Sequence, residues 1–132
     1  MELHKNRLYR FVHDPERAAI KFVWSAETAR MSDDDFKDAL SNFAGFASEL
    51  AASNLMVDLR EFRHELSPEA GAWRDEAVTP RYNKAGVRKF AYILATERLP
   101  PEDAPPPSSP QERFQTRFFD AESEAEAWFA EG

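Results

Sequence analysis

The chain contains no cysteine, which excludes disulfides, thiolate nucleophiles and thiolate metal ligands. Glycine is scarce, at four in 132 residues, so no glycine-rich loop is present to cradle a nucleotide phosphate. Histidines number three, and neither a G-x-S-x-G elbow nor an H-E-x-x-H pair occurs. No apolar run approaches the roughly 20 residues needed to span a bilayer. The segment Met1-Glu2-Leu3-His4-Lys5-Asn6-Arg7 has no apolar signal core, so a cytoplasmic protein without a membrane span is expected. Positive charge is also in deficit: 17 Lys and Arg against 24 Asp and Glu give a net charge of −7. Nucleic acid, which demands a cationic surface, is not the expected partner.

What the chain does have is apolar bulk. Eleven Phe, three Trp and 42% hydrophobic residues suffice for one core, and the length suits a single domain over residues 1–132. Leu8 to His13 and Ala18 to Trp24 read as an antiparallel hairpin turned at Asp14-Pro15-Glu16-Arg17, with Ile20, Phe22 and Trp24 on one face. Ser32 caps a helix whose first turn carries Asp33, Asp34 and Asp35, where negative charge suits the dipole. Phe36, Leu40, Phe43, Ala47 and Leu50 form its inner stripe, and its end is expected near Ala52.

Leu55 to Leu59 has the length and apolarity of a parallel strand buried on both faces. Ser67-Pro68 opens a second helix. Pro80 is expected to end or kink it and to bias Thr79 away from helical geometry, and Gly86 is expected as a left-handed cap. Lys84, Arg88 and Lys89 fall at that helix's C-terminal end, where cations complement the dipole. Val87 to Ala95 and Phe114 to Phe119 are strands, separated by a proline-rich loop over residues 100–112. Asp120 is expected to cap a last helix carrying Ala121, Ala125, Trp128 and Phe129. The fold class is therefore α/β, in the order β-β-α-β-α-β-β-α. It predicts a mixed sheet of four to five strands with about three helices.

Candidate chemistry concentrates between the buried strand and the second helix. There Asp58, Arg60, Arg63, His64 and Ser67 run from a strand's C-terminal end to a helix N-terminus, with Arg98 beyond the neighbouring strand. Three cations converging on unpaired helix amides would suit a small anion or phosphate. The competing reading is structural: Asp58 and Glu61 neutralise the arginines and Ser67 caps. An apolar pocket lined by Phe36, Phe43, Phe62, Trp73 and Tyr82 is a further candidate, against simple core packing. No residue is assigned as catalytic, and no metal or cofactor is expected. The outer strand of the first hairpin, with unpaired backbone groups, is compatible with a homodimer.

The segments Asn54-Leu55-Met56-Val57-Asp58-Leu59-Arg60, Trp73-Arg74-Asp75, Pro80-Arg81-Tyr82, Gly86-Val87-Arg88-Lys89-Phe90-Ala91, Phe119-Asp120 and Ala125-Glu126-Ala127-Trp128, in this order and spacing, resemble the SpoIIAA-like branch of the STAS family over residues 8 to 130. The resemblance implies a mixed sheet with helices on one side, as in anti-sigma factor antagonists and, more distantly, CRAL-TRIO lipid-binding domains. It also implies a regulatory or ligand-binding module, not an enzyme, acting through a protein partner or a small molecule. Classical antagonists are switched by phosphorylation at a helix start. The matching place here reads Glu65-Leu66-Ser67-Pro68, so Ser67 is the implied phosphoacceptor, without the antagonists' Asp-Ser-Ser/Thr-Gly-like stretch. Two other functions stand beside this one. One is an apolar-ligand or lipid binder; the other is a small enzyme using His64, Asp58 and Arg60.

Overall fold

Ile20, Phe22 and Trp24 alternate with less apolar neighbours, which is what a strand with one buried face requires. The computed structural model, which describes residues 1–101 and 112–131, buries all three on one face of β3 (Ala19–Trp24). β3 pairs antiparallel with β2 (Tyr9–Asp14), placing Phe11 opposite Phe22 and Tyr9 opposite Trp24. An edge strand, β1 (Glu2–Lys5), pairs antiparallel with β2 across a bulge between Glu2 and His4. The sequence predicts four to five strands; among the described residues β1 brings the sheet to six, in the order β1-β2-β3-β4-β5-β6.

Helix α1 (Asp33–Glu49) starts at a full capping box: Ser32 Oγ accepts from the Asp35 N–H, and the Asp35 carboxylate accepts from the Ser32 N–H. It buries Phe36, Ala39, Leu40, Phe43, Ala44 and Ala47. The chain leaves the helix through Ala51, which takes a left-handed φ of 51°, and enters β4 (Asn54–Asp58), a parallel neighbour of β3 with all five residues buried. α2 (Pro68–Trp73) runs without a break through a π turn (Arg74–Val78) into α3 (Thr79–Ala85), and Gly86 closes it at φ 89°. β5 (Lys89–Ile93) and β6 (Gln115–Phe119) continue the parallel half of the sheet, and α4 (Glu122–Ala130) follows.

Pro80 neither ends the helix nor displaces Thr79, whose φ and ψ of −53° and −43° are helical. Proline removes one donor from the hydrogen-bond ladder. The wider π turn just before it, in which the Thr79 N–H reaches back to the Arg74 carbonyl, carries the helix past that gap. Asp120 does not cap α4 either. The cap position is Ala121, with no side-chain bond, and Asp120 instead accepts a hydrogen bond from Thr96 Oγ1 at 3.0 Å. Of the proline-rich loop expected over residues 100–112, residues 102–111 lie outside the described residues.

The sheet has a core on each face. Phe11, Ile20, Phe22, Leu55, Val57 and Phe90 pack with α1 and α3 in the larger one, where Phe22 and Phe43 meet edge to face at 4.8 Å. Ala19, Met56, Ala91 and Ile93 pack on the other face with Ala125, Trp128 and Phe129 of α4. Helices on one side, implied by the resemblance, therefore hold for α1 to α3 and not for α4. Burying each large apolar side chain supplies about 1.5–3 kcal/mol of driving force. Both βαβ crossovers lay their helices on the same face, as a shared hand requires. The N-termini of α1 and α2 consequently meet at the edge where the parallel strands end.

Candidate functional site

The loop from Leu59 to Ser67 occupies that edge. It is anchored from below by Phe62, whose ring meets Trp24 at 5.0 Å, and by the Arg63 N–H, which donates to Thr28 Oγ1 at 2.8 Å. Thr28 is fully buried and donates in turn to the Ser25 carbonyl. A loop held at mid-length by an aromatic plug and a buried hydroxyl presents the residues on either side in fixed positions.

Those residues fall into two groups. Asp58 is 7% exposed, and its carboxylate accepts from the Arg60 N–H and Nε at 3.0 Å and from Nη2 at 2.6 Å. This two-pronged pair is on the α4 side of the sheet, since Asp58 shares its face with Met56 and Glu122 acts on Arg60. His64 and Ser67 turn to the other side. Both reach Asp33, the first residue of α1: His64 Nε2 lies 2.8 Å from Oδ1, and Ser67 Oγ donates to Oδ2 at 2.6 Å. Ser67 Oγ also accepts from the Ala70 N–H, so it caps α2 as it contacts α1. The Ser67 bond, and after it that of His64, holds the Asp33 carboxyl below its ordinary pKa.

Arg63 stands between the two groups. One of its Nη atoms donates to the Arg60 carbonyl and the other approaches Glu61 at 3.3 Å, with the side chain 43% exposed. Arg98 lies on a short turn after β5, and among the described residues its guanidinium makes no ion pair. The residues read from the sequence as one cationic cluster are thus brought together as Asp58 with Arg60 and as His64 with Ser67. Asp33, read only as helix-capping charge, is the residue that joins the second pair. Its signal in the sequence was redundancy: the capping box uses Asp35, leaving Asp33 free for another partner.

The chemistry available follows from these bonds. A serine nucleophile needs an adjacent base to take its proton. Here the Ser67 proton points into a carboxylate, and the imidazole sits on that carboxylate's other oxygen. The aromatic residues read as a pocket are distributed through the core: Phe36, Phe43 and Tyr82 are buried, Phe62 and Trp73 are partly buried at its margin, and Lys37 Nζ lies over the Trp73 ring at 5.7 Å. Among the described residues no helix is long and apolar enough to cross a membrane, and no three His, Asp or Glu are grouped to hold a metal ion. Compared with family models, with curated proteins and with solved structures, the chain matches none.

Proposed function

We propose that this chain is a non-catalytic module of the STAS type, in its SpoIIAA-like branch, that acts by binding a protein partner or a small anionic ligand at the β4–α2 edge. The observation that carries the reading is the Asp33 carboxylate shared by His64 and Ser67. One anion secures both the middle of the loop and the start of α2, so a partner or ligand that competes with Asp33 for His64 and Ser67 moves both. Arg63 and Leu66, 43% and 37% exposed, flank this joint and offer a cation and an apolar contact on its outer side. A site built from mutually bonded side chains is suited to recognition, because its charges are positioned before a partner arrives.

The test is twofold. Amide resonances of the purified protein are followed while inorganic phosphate is added; shifts confined to residues 59–67, and lost in Arg63→Ala, support a ligand at this edge. In parallel the protein is assayed against ester and phosphoester substrates. Turnover abolished by His64→Ala overturns the non-catalytic reading.

A further inference from the structure

The opposite end of the parallel strands, where β5 and β6 begin, holds a cavity. Pro80, Asn83 and Lys84 of α3 and Arg113, just before β6, line a space of about 320 Å³. Small-ligand sites span about 300–1,000 Å³, so the volume suits a small molecule. The Arg113 N–H donates to Asn83 Oδ1 at 3.0 Å, which ties together the two elements that supply the cations.

Neither cation serves the fold through its charge. A lysine near a helix C-terminus ordinarily attends to the carbonyls left over there. Here the backbone does so: the Gly86 N–H donates to the Asn83 carbonyl and the Val87 N–H to the Tyr82 carbonyl, both at 3.2 Å. Lys89 reaches away to α4, where its Nζ donates to the Trp128 carbonyl at 2.6 Å. The Lys84 ammonium and the Arg113 guanidinium are exposed and make no hydrogen bond or ion pair among the described residues. Carboxylates are not scarce, since acids outnumber bases by 24 to 17, and Arg17, Lys21, Arg60 and Arg63 each have one. The acid nearest in the chain is Glu112, whose Oε2 accepts from Thr116 Oγ1 at 3.3 Å. Among the described residues no acid lines the cavity, so its local field is positive on a chain of net charge −7.

The lining states the ligand's chemistry. A guanidinium takes a carboxylate in two-pronged fashion, and an ammonium acts as a point charge. Two such groups, brought from separate elements, call for an anion at each end of one molecule. The Pro80 ring and the methylenes of Lys84 give an apolar lining for the carbons that join them. We propose that the cavity between α3 and the start of β6 binds a small aliphatic dicarboxylic acid, one carboxylate pairing with Arg113 and the other with Lys84.

The experiment uses the full chain. Amide resonances are followed during titration with glutarate at constant ionic strength, with butyrate as the probe of the same length that lacks the second charge. Saturable shifts confined to residues 81–86 and 112–115 are expected at millimolar glutarate, with butyrate binding about tenfold more weakly. Lys84→Gln and Arg113→Gln each weaken glutarate about tenfold, as loss of one charged hydrogen bond does, and unfold at the wild-type Tm because both side chains are exposed. Arg63→Ala leaves the binding unchanged, which separates this cavity from the β4–α2 edge. The proposal is overturned if the shifts do not saturate at millimolar glutarate, if butyrate binds as tightly, or if the binding survives intact in either glutamine variant. A loss in Arg63→Ala equal to that in Lys84→Gln also overturns it, because the response is then one of overall charge.

Discussion

The Ser67 hydroxyl donates to Asp33 Oδ2 at 2.6 Å while accepting from the Ala70 N–H at 3.1 Å, so one oxygen both caps α2 and ties it to the start of α1. Replacing it removes two bonds at once. Ser67→Ala is expected to lower stability by about 1 kcal/mol through the lost cap. Its effect and that of Asp33→Asn should fail to add, because each removes the same bond. Urea unfolding of the two single variants and the double variant measures this; strict additivity would contradict a direct Ser67–Asp33 contact.

A negative group at residue 67 should act more strongly than loss of the hydroxyl. It would face Asp33 across the distance now spanned by a hydrogen bond, and like charges there repel. Ser67→Asp is therefore expected to raise amide exchange in residues 59–67 above the rate seen in Ser67→Ala, while α4 keeps its protection. Hydrogen exchange read by mass spectrometry distinguishes the two.

Acid should loosen the same joint. The Asp33 carboxyl titrates below its ordinary value because Ser67 and then His64 bond its charged form. A carboxyl depressed by folding adds stability that is complete above its unfolded pKa of about 3.9 and is lost as pH falls through the folded value below that. The difference in urea midpoint between wild type and Asp33→Asn should shrink from pH 4 downward. A difference that persisted at pH 3 would argue against this ionic contribution.

At alkaline pH the phenols of Tyr82 and the half-buried Tyr92 set the limit. A tyrosine whose pKa rises on folding contributes stability below its unfolded pKa of about 10, and that contribution is lost as pH climbs toward the folded value, about 12 for Tyr92. In the native protein neither Tyr82 nor Tyr92 should ionise appreciably by pH 10. Absorbance at 295 nm followed through pH 10 should then be the same for wild type and Tyr92→Phe as long as both stay folded.

The larger core should be sensitive to a single truncation. Phe43 has no exposed surface and its ring touches Phe11 at 5.4 Å and Phe22 at 4.8 Å. Phe43→Ala is expected to cost about 3–5 kcal/mol, readable as a fall in the urea midpoint at unchanged slope. Ala127, exposed on α4, should tolerate substitution by serine within about 0.5 kcal/mol.

Much of the architecture could be read in advance because local signals and tertiary demands coincide. Ile20, Phe22 and Trp24 alternate and face a core; Ser32 caps and Phe36 to Ala47 follow on one stripe; Leu55 to Val57 is apolar because both its faces are covered. β1 escaped because Glu2-Leu3-His4-Lys5 has one apolar side chain and owes its place to backbone pairing with β2. Helix α4 has a clear inner side, but its amphipathic pattern does not state which face of a sheet receives it. Pro80 does not end the helix because the rule for proline concerns an α ladder, and the chain changes register before reaching it.

The site was harder to read than the fold. Asp33 lies 31 residues from His64 and 34 from Ser67, and no local rule joins them. They meet only because two successive crossovers return helices to one side. Asp58 and Arg60, two residues apart, lay within reach of sequence reasoning, which offered neutralisation as an alternative to anion binding.

In the sheet each strand sits beside its predecessor in the chain. No gap must be held open for a segment yet to be made, and each new pairing closes a modest loop at low entropic cost. The hairpin of β2 and β3 can serve as a template onto which later units are laid in order of synthesis. Growth ends at β6, whose following helix seals Met56, Ala91 and Ile93 last. A nascent chain halted before Ala125 would carry an almost finished sheet with one greasy face bare, and it is this late intermediate that would look for another surface to cover it.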